Sequence, residues 1–427
     1  MLRSLPEWLD YQQTVHVRGV DLGLARSGAV WQRMGARRPA PIVITVGGTN
    51  GKGSTVAFLD AILRAMGLRV GCYTSPHLLR YNERVRIDGR DAGDDELVAA
   101  FERIEAARGE TPLTYFEYGT LAAFDLFAEH AVDVAVLEVG LGGRLDAVNL
   151  VDADVAIVTT IDLDHQDWLG NDRDTIGREK AGIFRAARPA VIGELAPPKG
   201  LLDAAHEVGA ALIRNGVDFH VAVKAESWSW QSGNMEIALP MPRLMAPSQC
   251  TNAAAAIAAL HALRDRLGWH PQALARGVEA ARIAARLQRF TGSPELVIDV
   301  AHNPQAAREL AMWLARHPAA GRNLAVFGAL ADKDVSGIVE ALAPHFALWF
   351  GGALDQATPR GRTAEDLRST LAARLPTHSI KVEENVLAAL DAAASAAVAG
   401  DRIIAFGSFF VAAEALEWAQ RRGLISD

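Results

Sequence analysis

The segment that most restricts this chain is residues 41–66. A short β-rich apolar run, PIVITV at 41–46, ends at glycines, and helical periodicity follows over 54–66 with Gly67 at the stop position. Between them lies Gly48-Thr49-Asn50-Gly51-Lys52-Gly53-Ser54-Thr55. Strand, glycine loop and helix in that order make a phosphate cradle. Glycines let the backbone approach the anion, helix N-terminal N–H groups point at its oxygens, and a lysine adds a mobile cation. Thr49, Asn50, Gly51, Lys52, Gly53 and Ser54 are therefore the expected nucleotide contacts. Lys52 would reach the β- and γ-phosphates, with Ser54 or Thr55 near metal or phosphate. The common G-x-x-x-x-G-K-[ST] pattern would need glycine at Val46 and a hydroxyl where Gly53 stands. The bland alternative is a glycine-rich turn with an exposed lysine; the flanking strand and helix favour the cradle.

The rest of the chain alternates in the same way. Apolar strands are expected at 69–73, 132–139 and 155–161, with helices at 94–108 and 118–128 between them. Such alternation implies a mostly parallel sheet with helices on both faces. Alternating residues over 228–237, followed by Pro240 and Pro242, suggest a hairpin or an irregular edge, and alanine-rich helices should cover 252–263 and 271–281. A second alternating series starts near Glu295. Its strands fall at 296–300, 324–327, 347–350, 380–382 and 402–406, and its helices at 304–316, 335–342, 364–375, 386–397 and 410–421. The expectation is α/β throughout. A P-loop-type, mostly parallel sheet domain over 1–285 precedes a smaller Rossmann-like α/β domain over 286–427.

Several chemistry-bearing residues fall at strand ends, where ligands bind in open α/β sheets. Glu138 closes the run VDVAVLEV and could hold Mg²⁺ directly or through water, or else pair with Arg144. His165 in DLDHQDWLG and Ser75 in TSPH leave the sheet in the same manner. Imidazole is an unusual magnesium partner, and most serines before proline only shape turns, so both readings stand for each. Lys180 in REKAG reads on its own as a solvated helix lysine. Asp299 and His302 in DVAHNP follow the first strand of the second series and suit a nucleotide ribose or base.

Composition excludes some classes. The net charge of −8 argues against a general nucleic-acid surface. Two cysteines, Cys72 and Cys250, fit a reducing compartment rather than a disulfide framework. No apolar run reaches the ~18 residues of a membrane span. The N-terminal stretch lacks the apolar core of a signal peptide. The expectation is a cytoplasmic monomer that acts on small molecules, without membrane or nucleic-acid partners.

Taken together, GTNGKGS, YTSPHLLRYNERVRIDG, TYFEYGT, LEVGLGGRLDAVN, DHQDWLG, REKAGI, the helix at Asn252, DVAHNP and the turn Phe406-Gly407-Ser408-Phe409 keep one order along nearly the whole chain. This set resembles the folylpolyglutamate synthase and dihydrofolate synthase family within the Mur-ligase-like amide ligases. The resemblance implies ATP held between two domains, together with two Mg²⁺ ions. It implies ligation of L-glutamate to dihydropteroate and to the γ-carboxylate of folates through an acyl phosphate, within folate biosynthesis and one-carbon metabolism. It assigns Thr49 to Lys52 to the phosphates, and Ser75, Glu138 and His165 to metal. Asn252, Arg286 and Asp299 become further ATP contacts. Lys52, His165 and Lys180 become the catalytic set, Lys180 as a carbamylated lysine. Asp21 and Leu22, Thr114, Tyr115, Phe116 and Glu117, and Leu145, Asp146 and Ala147 become the dihydropteroate segments, with Phe116 on the pterin or else packed in the core.

The chain departs from that family in two places. Ile283-Ala284-Ala285 replace the usual Trp-Pro-Gly or Leu-Pro-Gly before Arg286, which predicts a helical rather than turned hinge and lets Arg289 compete for the arginine's role. Ser248 stands where histidine is common before Asn252. A Mur ligase of the peptidoglycan type would need a sizeable domain ahead of the loop, and 47 residues precede Gly48. A monofunctional folylpolyglutamate synthase is the nearer alternative. A nucleotide-binding switch without ligase chemistry would leave the second α/β domain and the Lys180 segment without a purpose.

Overall fold

The structure, a computed structural model, describes residues 3–16, 19 and 21–426. The chain divides into two units, Met1–Arg243 with Gln249–Arg282, and Leu244–Ser248 with Ile283–Asp427. Both are α/β units built on mostly parallel sheets.

The sheet of the first unit runs β4-β3-β2-β5-β1-β6-β7-β8. Its strands are β1 (Ile42–Gly47), β2 (Val70–Tyr73), β3 (Val85–Ile87), β4 (Arg90–Asp91), β5 (Val134–Glu138), β6 (Val155–Val158), β7 (Pro189–Ile192) and β8 (Ala211–Arg214). The central strands pair in parallel, while β3 and β4 close one edge antiparallel. Because β1 is covered on both faces, all six of its residues are buried, which is why its sequence is a continuous apolar run. The register sets Val46 opposite Glu138 and Gly47 opposite Val158. Three strand ends are thereby gathered around one loop. A three-stranded antiparallel sheet follows, β9 (His220–Val223), β10 (Ser227–Ser232) and β11 (Met235–Pro240). It realises the expected hairpin.

The helix after the loop, Lys52–Ala65, is buried along nearly its whole length. It can be so because its neighbours are small: the helix Gln249–Ala262 presents alanines, and Gly277 in the helix Pro271–Ala280 leaves no room for a side chain. A Cβ at Gly277 would lie 2.4 Å from Ile62 Cα. Gly277→Ala should therefore destabilise the unit by roughly 1–3 kcal/mol through overpacking. Urea denaturation measures it, and an unchanged midpoint would contradict the contact.

The second unit carries a seven-stranded sheet, β16-β15-β14-β17-β13-β12-β18. Its strands are β12 (Gln288–Thr291), β13 (Glu295–Ile298), β14 (Asn323–Phe327), β15 (Leu348–Gly352), β16 (Ile380–Glu383), β17 (Arg402–Phe406) and β18 (Ile425–Ser426). Five strands pair in parallel and β12 and β18 add an antiparallel edge. A separate core of aromatic and aliphatic side chains, with Trp313, Phe327, Trp349 and Phe406 among them, holds it together.

Two expectations are corrected. The helix placed at 118–128 begins at Tyr115, because Thr114 and Glu117 form a capping box that starts it a turn earlier. The hinge before Arg286 is not helical. The helix ends at Ala280, and Ala285 and Leu287 take left-handed backbone angles, φ 54° and 51°, which no helix tolerates. Among the described residues no helix is long and apolar enough to cross a membrane.

Candidate active site

The loop between β1 and the helix Lys52–Ala65 can only be built with glycine at two points. Gly48 has φ 140°, and a Cβ on it would lie 1.9 Å from Thr159 Oγ1. Gly51 has φ 86°, caps the helix, and a Cβ there would lie 2.6 Å from Asn252 Oδ1. Since β1 continues through Val46 and Gly47, the loop is shorter than the common pattern, and no glycine is needed at 46. Thr159 and Thr160 brace it from β6: Thr49 N donates to Thr160 O at 2.7 Å, and Thr159 Oγ1 donates to Asn50 O at 2.6 Å. Asn252 stands beside Gly51, linked to Gln249 at 3.2 Å, and Gln249 in turn reaches Ser54 Oγ at 3.3 Å.

Two ammonium groups meet at this loop. Lys52 Nζ donates to Gly48 O and Thr49 O, each at 3.1 Å, and Lys180 Nζ donates to the same Gly48 O at 3.0 Å. Lys180 is 5% exposed, so the solvated-lysine reading of its helix is wrong: Arg173–Ala181 turns this residue inward. Burial first, and the like charge of Lys52 next, pull the Lys180 amine down to about 7. Asp146 is pushed up to about 6 by burial, against the N–H groups of Leu141, Val148 and Gly140 and the charge of Lys52. The site concentrates positive charge at a helix N-terminus with acids around it, as an anion receptor requires.

The expected metal residues come out at neighbouring strand ends. Glu138, 5% exposed, ends β5. Ser75, two residues beyond β2, donates its amide to Glu138 Oε2 at 3.4 Å. His165 caps the short helix Gln166–Leu169 with φ 51°. Its loop is tied to the phosphate loop at Asp162, whose N–H donates to Thr49 Oγ1 at 3.1 Å. A buried carboxylate and a serine hydroxyl at the mouth of a phosphate cradle suit a hard divalent cation, which takes one or two protein oxygens and completes its shell from phosphates and water.

The three segments expected to hold dihydropteroate are connected. Arg26 joins the first two, with Nη1 2.5 Å from Asp21 Oδ2 and Nη2 3.2 Å from Glu117 Oε1. Gly23 N donates to Leu145 O at 3.2 Å and ties the loop of Leu22 to the third, where Asp146 and Ala147 are buried. Phe116 is half-buried, 5.7 Å from the Tyr73 ring and against the backbone of Gly140. Thr114 and Tyr115 flank it at the start of the helix Tyr115–Glu129. The sequence alone announces neither Arg26 nor Thr159, since Glu117 lies 91 residues from the first and Asn50 lies 109 residues from the second, and no local pattern links them.

In the second unit Arg286, Asp299 and His302 come together. Asp299 accepts from Leu287 N at 2.8 Å and Ala301 N at 2.7 Å, and its carboxyl is raised by burial against the pull of Arg286. Arg286 lies over the Phe409 ring at 5.4 Å, and His302 is 6.1 Å from the same ring. Arg289 instead reaches Glu295 from β12.

The Mur ligase middle domain matches residues 46–260, and the Mur ligase, glutamate ligase domain matches residues 285–409. The chain is 45% identical to the dihydrofolate synthase/folylpolyglutamate synthase of Escherichia coli K12, over 97% of this chain and 95% of that one. It is 39% identical to the protein of the same name from Haemophilus influenzae, over 96% of each. Among solved structures, E. coli FolC in complex with DHPP and ADP superposes with a TM-score of 0.92 at 44% identity, covering 99% of both chains. A bifunctional folylpolyglutamate synthase/dihydrofolate synthase with Mn, AMPPNP and L-glutamate bound superposes with a TM-score of 0.90 at 44% identity, covering 98% of both. The chain belongs to the dihydrofolate synthase/folylpolyglutamate synthase family of Mur ligases.

Proposed function

We propose that this protein uses ATP and Mg²⁺ to join L-glutamate to dihydropteroate and to the γ-carboxylate of tetrahydrofolates through an acyl phosphate. The reading places it in the cytoplasm, in keeping with two unpaired buried thiols. The observation that carries it is the pair of lysine ammonium groups on the one carbonyl of Gly48, in a loop that follows β1 beside the strand ending in Glu138. A carboxylate is a poor acyl donor because its leaving group would be oxide. One of its oxygens attacks the γ-phosphorus, ADP departs, and the amine of glutamate then attacks the carbonyl carbon, expelling phosphate and losing a proton. Lys52 and the first-turn N–H groups of Lys52–Ala65 hold the phosphoryl oxygens where charge builds. Glu138, Ser75 and His165 would hold the metal, which supplies charge neutralisation at the phosphates.

Lys180 has a chemical use for its depressed basicity. With a pKa of about 7 a large neutral fraction exists near neutral pH, and a neutral amine adds CO₂ to form a carbamate, releasing one proton. The carbamate is an anion suited to a metal and would relieve the repulsion between the two lysines. Unmodified, the same residue shapes stability. Below about pH 7 it is charged in both states and folding bears its desolvation; between about 7 and 10.5 only the unfolded chain keeps the proton, so stability rises with pH. Lys180→Met should flatten that rise and abolish any activation by bicarbonate. Equal bicarbonate response in both proteins would count against the carbamate.

The functional test is ATP turnover with each substrate left out in turn. The reading expects ADP release to need both glutamate and a pterin carboxylate, with dihydropteroate and tetrahydrofolate each accepted. Turnover on tetrahydrofolate alone would restrict the enzyme to folylpolyglutamate synthesis, and turnover indifferent to both substrates would overturn the reading.

A further inference from the structure

Arg84 is a buried cation that has no ion-pair partner among the described residues. It ends the 3-10 turn Tyr81–Arg84 and is 9% exposed. Its carbonyl accepts from Thr74 N at 2.9 Å, which fixes it beside the end of β2 and next to Ser75. Nε donates to His77 Nδ1 at 2.8 Å, and the guanidinium carbon lies 5.4 Å from the ring centroids of both Tyr81 and Tyr115. Among the described residues no carboxylate forms an ion pair with it. The contrast within this chain is sharp: Arg26 has Asp21 and Glu117, Arg322 has Asp401, and Arg402 has Glu295.

A desolvated charge without a counter-ion is costly, and two aromatic faces offset only part of that cost. The hydrogen bond to His77 uses one of five N–H donors and leaves the planar fork of the terminal nitrogens, the geometry that matches a carboxylate. Surroundings identify which carboxylate. Tyr115 belongs to the segment Thr114–Glu117, the Tyr73 ring 5.7 Å from Phe116 lies within the field of Arg84, and the amide of Ser75 faces Glu138. Arg84 thus stands between an aromatic platform and the phosphate end of the site.

We propose that Arg84 binds the carboxylate of the pterin-type acceptor, and that His77 is a positioning residue that sets the tilt of the guanidinium through Nδ1. The inference rests on the acceptor being a pterin carboxylate, as proposed above. It makes the missing acid of this pocket a part of the substrate.

The test is equilibrium binding to the full chain of dihydropteroate and of its neutral carboxamide, followed by ligand fluorescence without ATP. Wild type should prefer the carboxylate by roughly 100-fold, a gap expected when a buried charged group is left unpaired. Arg84→Gln should bind both ligands alike, and His77→Phe should keep roughly a tenth of the preference while Kd for an ATP analogue stays put. Because the readout is a ratio within one protein, a partly destabilised variant still reports it, and Arg84→Lys, which keeps charge without the fork, should recover part of the preference. The same comparison with tetrahydrofolate shows whether the folate carboxylate uses this receptor. A preference retained in Arg84→Gln, or absent in wild type, overturns the inference. Wild type that neither binds nor ligates dihydropteroate would overturn the proposed function instead.

Discussion

Lys52→Ala should lower the ligation rate by roughly three orders of magnitude at saturating ATP, since one positioned donor to a developing anion is already worth about 10²–10³ and this one also carries a full charge. The side chain bends back over its own loop, with Nζ on Gly48 O and Thr49 O. Its ammonium group therefore sits at the helix N-terminus before any nucleotide arrives, and little reorganisation is needed for transfer. The variant should still fold, because Thr160 and Thr159 brace the loop independently of the lysine. A second consequence concerns Lys180. The like charge of Lys52 is one cause of its low basicity, so the Lys180 amine should move upward in the variant and hold its proton at neutral pH. Single-turnover kinetics with a fluorescent pterin measures the first effect. Full ligation by Lys52→Ala would remove the phosphate cradle from the mechanism.

Glu138→Ala should cost about two to three orders of magnitude in rate and shift the metal requirement, the scale expected when a metal that neutralises phosphoryl charge loses its carboxylate. Parallel pairing with β1 brings Glu138 level with Val46, one strand away from the start of the loop. Ser75 N touches its carboxylate from the other neighbour, β2. Glu138→Gln keeps that shape but not the charge. If charge is what matters, Gln and Ala should be nearly equal in activity, and both should need far more Mg²⁺ than wild type. Titrating Mg²⁺ against initial rate separates the two roles: an unchanged half-saturating concentration in both variants would assign Glu138 to structure alone.

How much of this could be read beforehand follows from where the information lies. The strand–loop–helix at 41–66 is local, with apolar residues for a doubly covered strand and glycines for a loop whose φ values reach 140° and 86°, so its reading stands. The second α/β unit was legible for the same reason, as its strands and helices alternate with clear periodicity. Failures came where long-range packing or backbone conformation decides. Lys180 in REKAG looks like any helix lysine, and only its long-range contact with Gly48 O, 132 residues away, reveals that the residue turns inward. Ala285 and Leu287 adopt left-handed angles that glycine would have signalled and alanine and leucine do not. The early start of the helix at Tyr115 was readable, because Thr114 and Glu117 have the spacing of a capping box, but an aromatic run obscured it. Arg26 and Arg84 were invisible, since an ion pair across 91 residues and a missing ion pair leave no pattern in the chain.

The most direct measurement follows oxygen. Dihydropteroate labelled with ¹⁸O at both carboxylate positions is converted with ATP and glutamate, and the released phosphate is analysed by mass spectrometry. If the carboxylate attacks the γ-phosphorus and glutamate then displaces phosphate at carbon, one labelled oxygen leaves in the phosphate and the other stays in the new amide. Phosphate free of label, with dihydrofolate formed, would mean that the carboxylate is never phosphorylated.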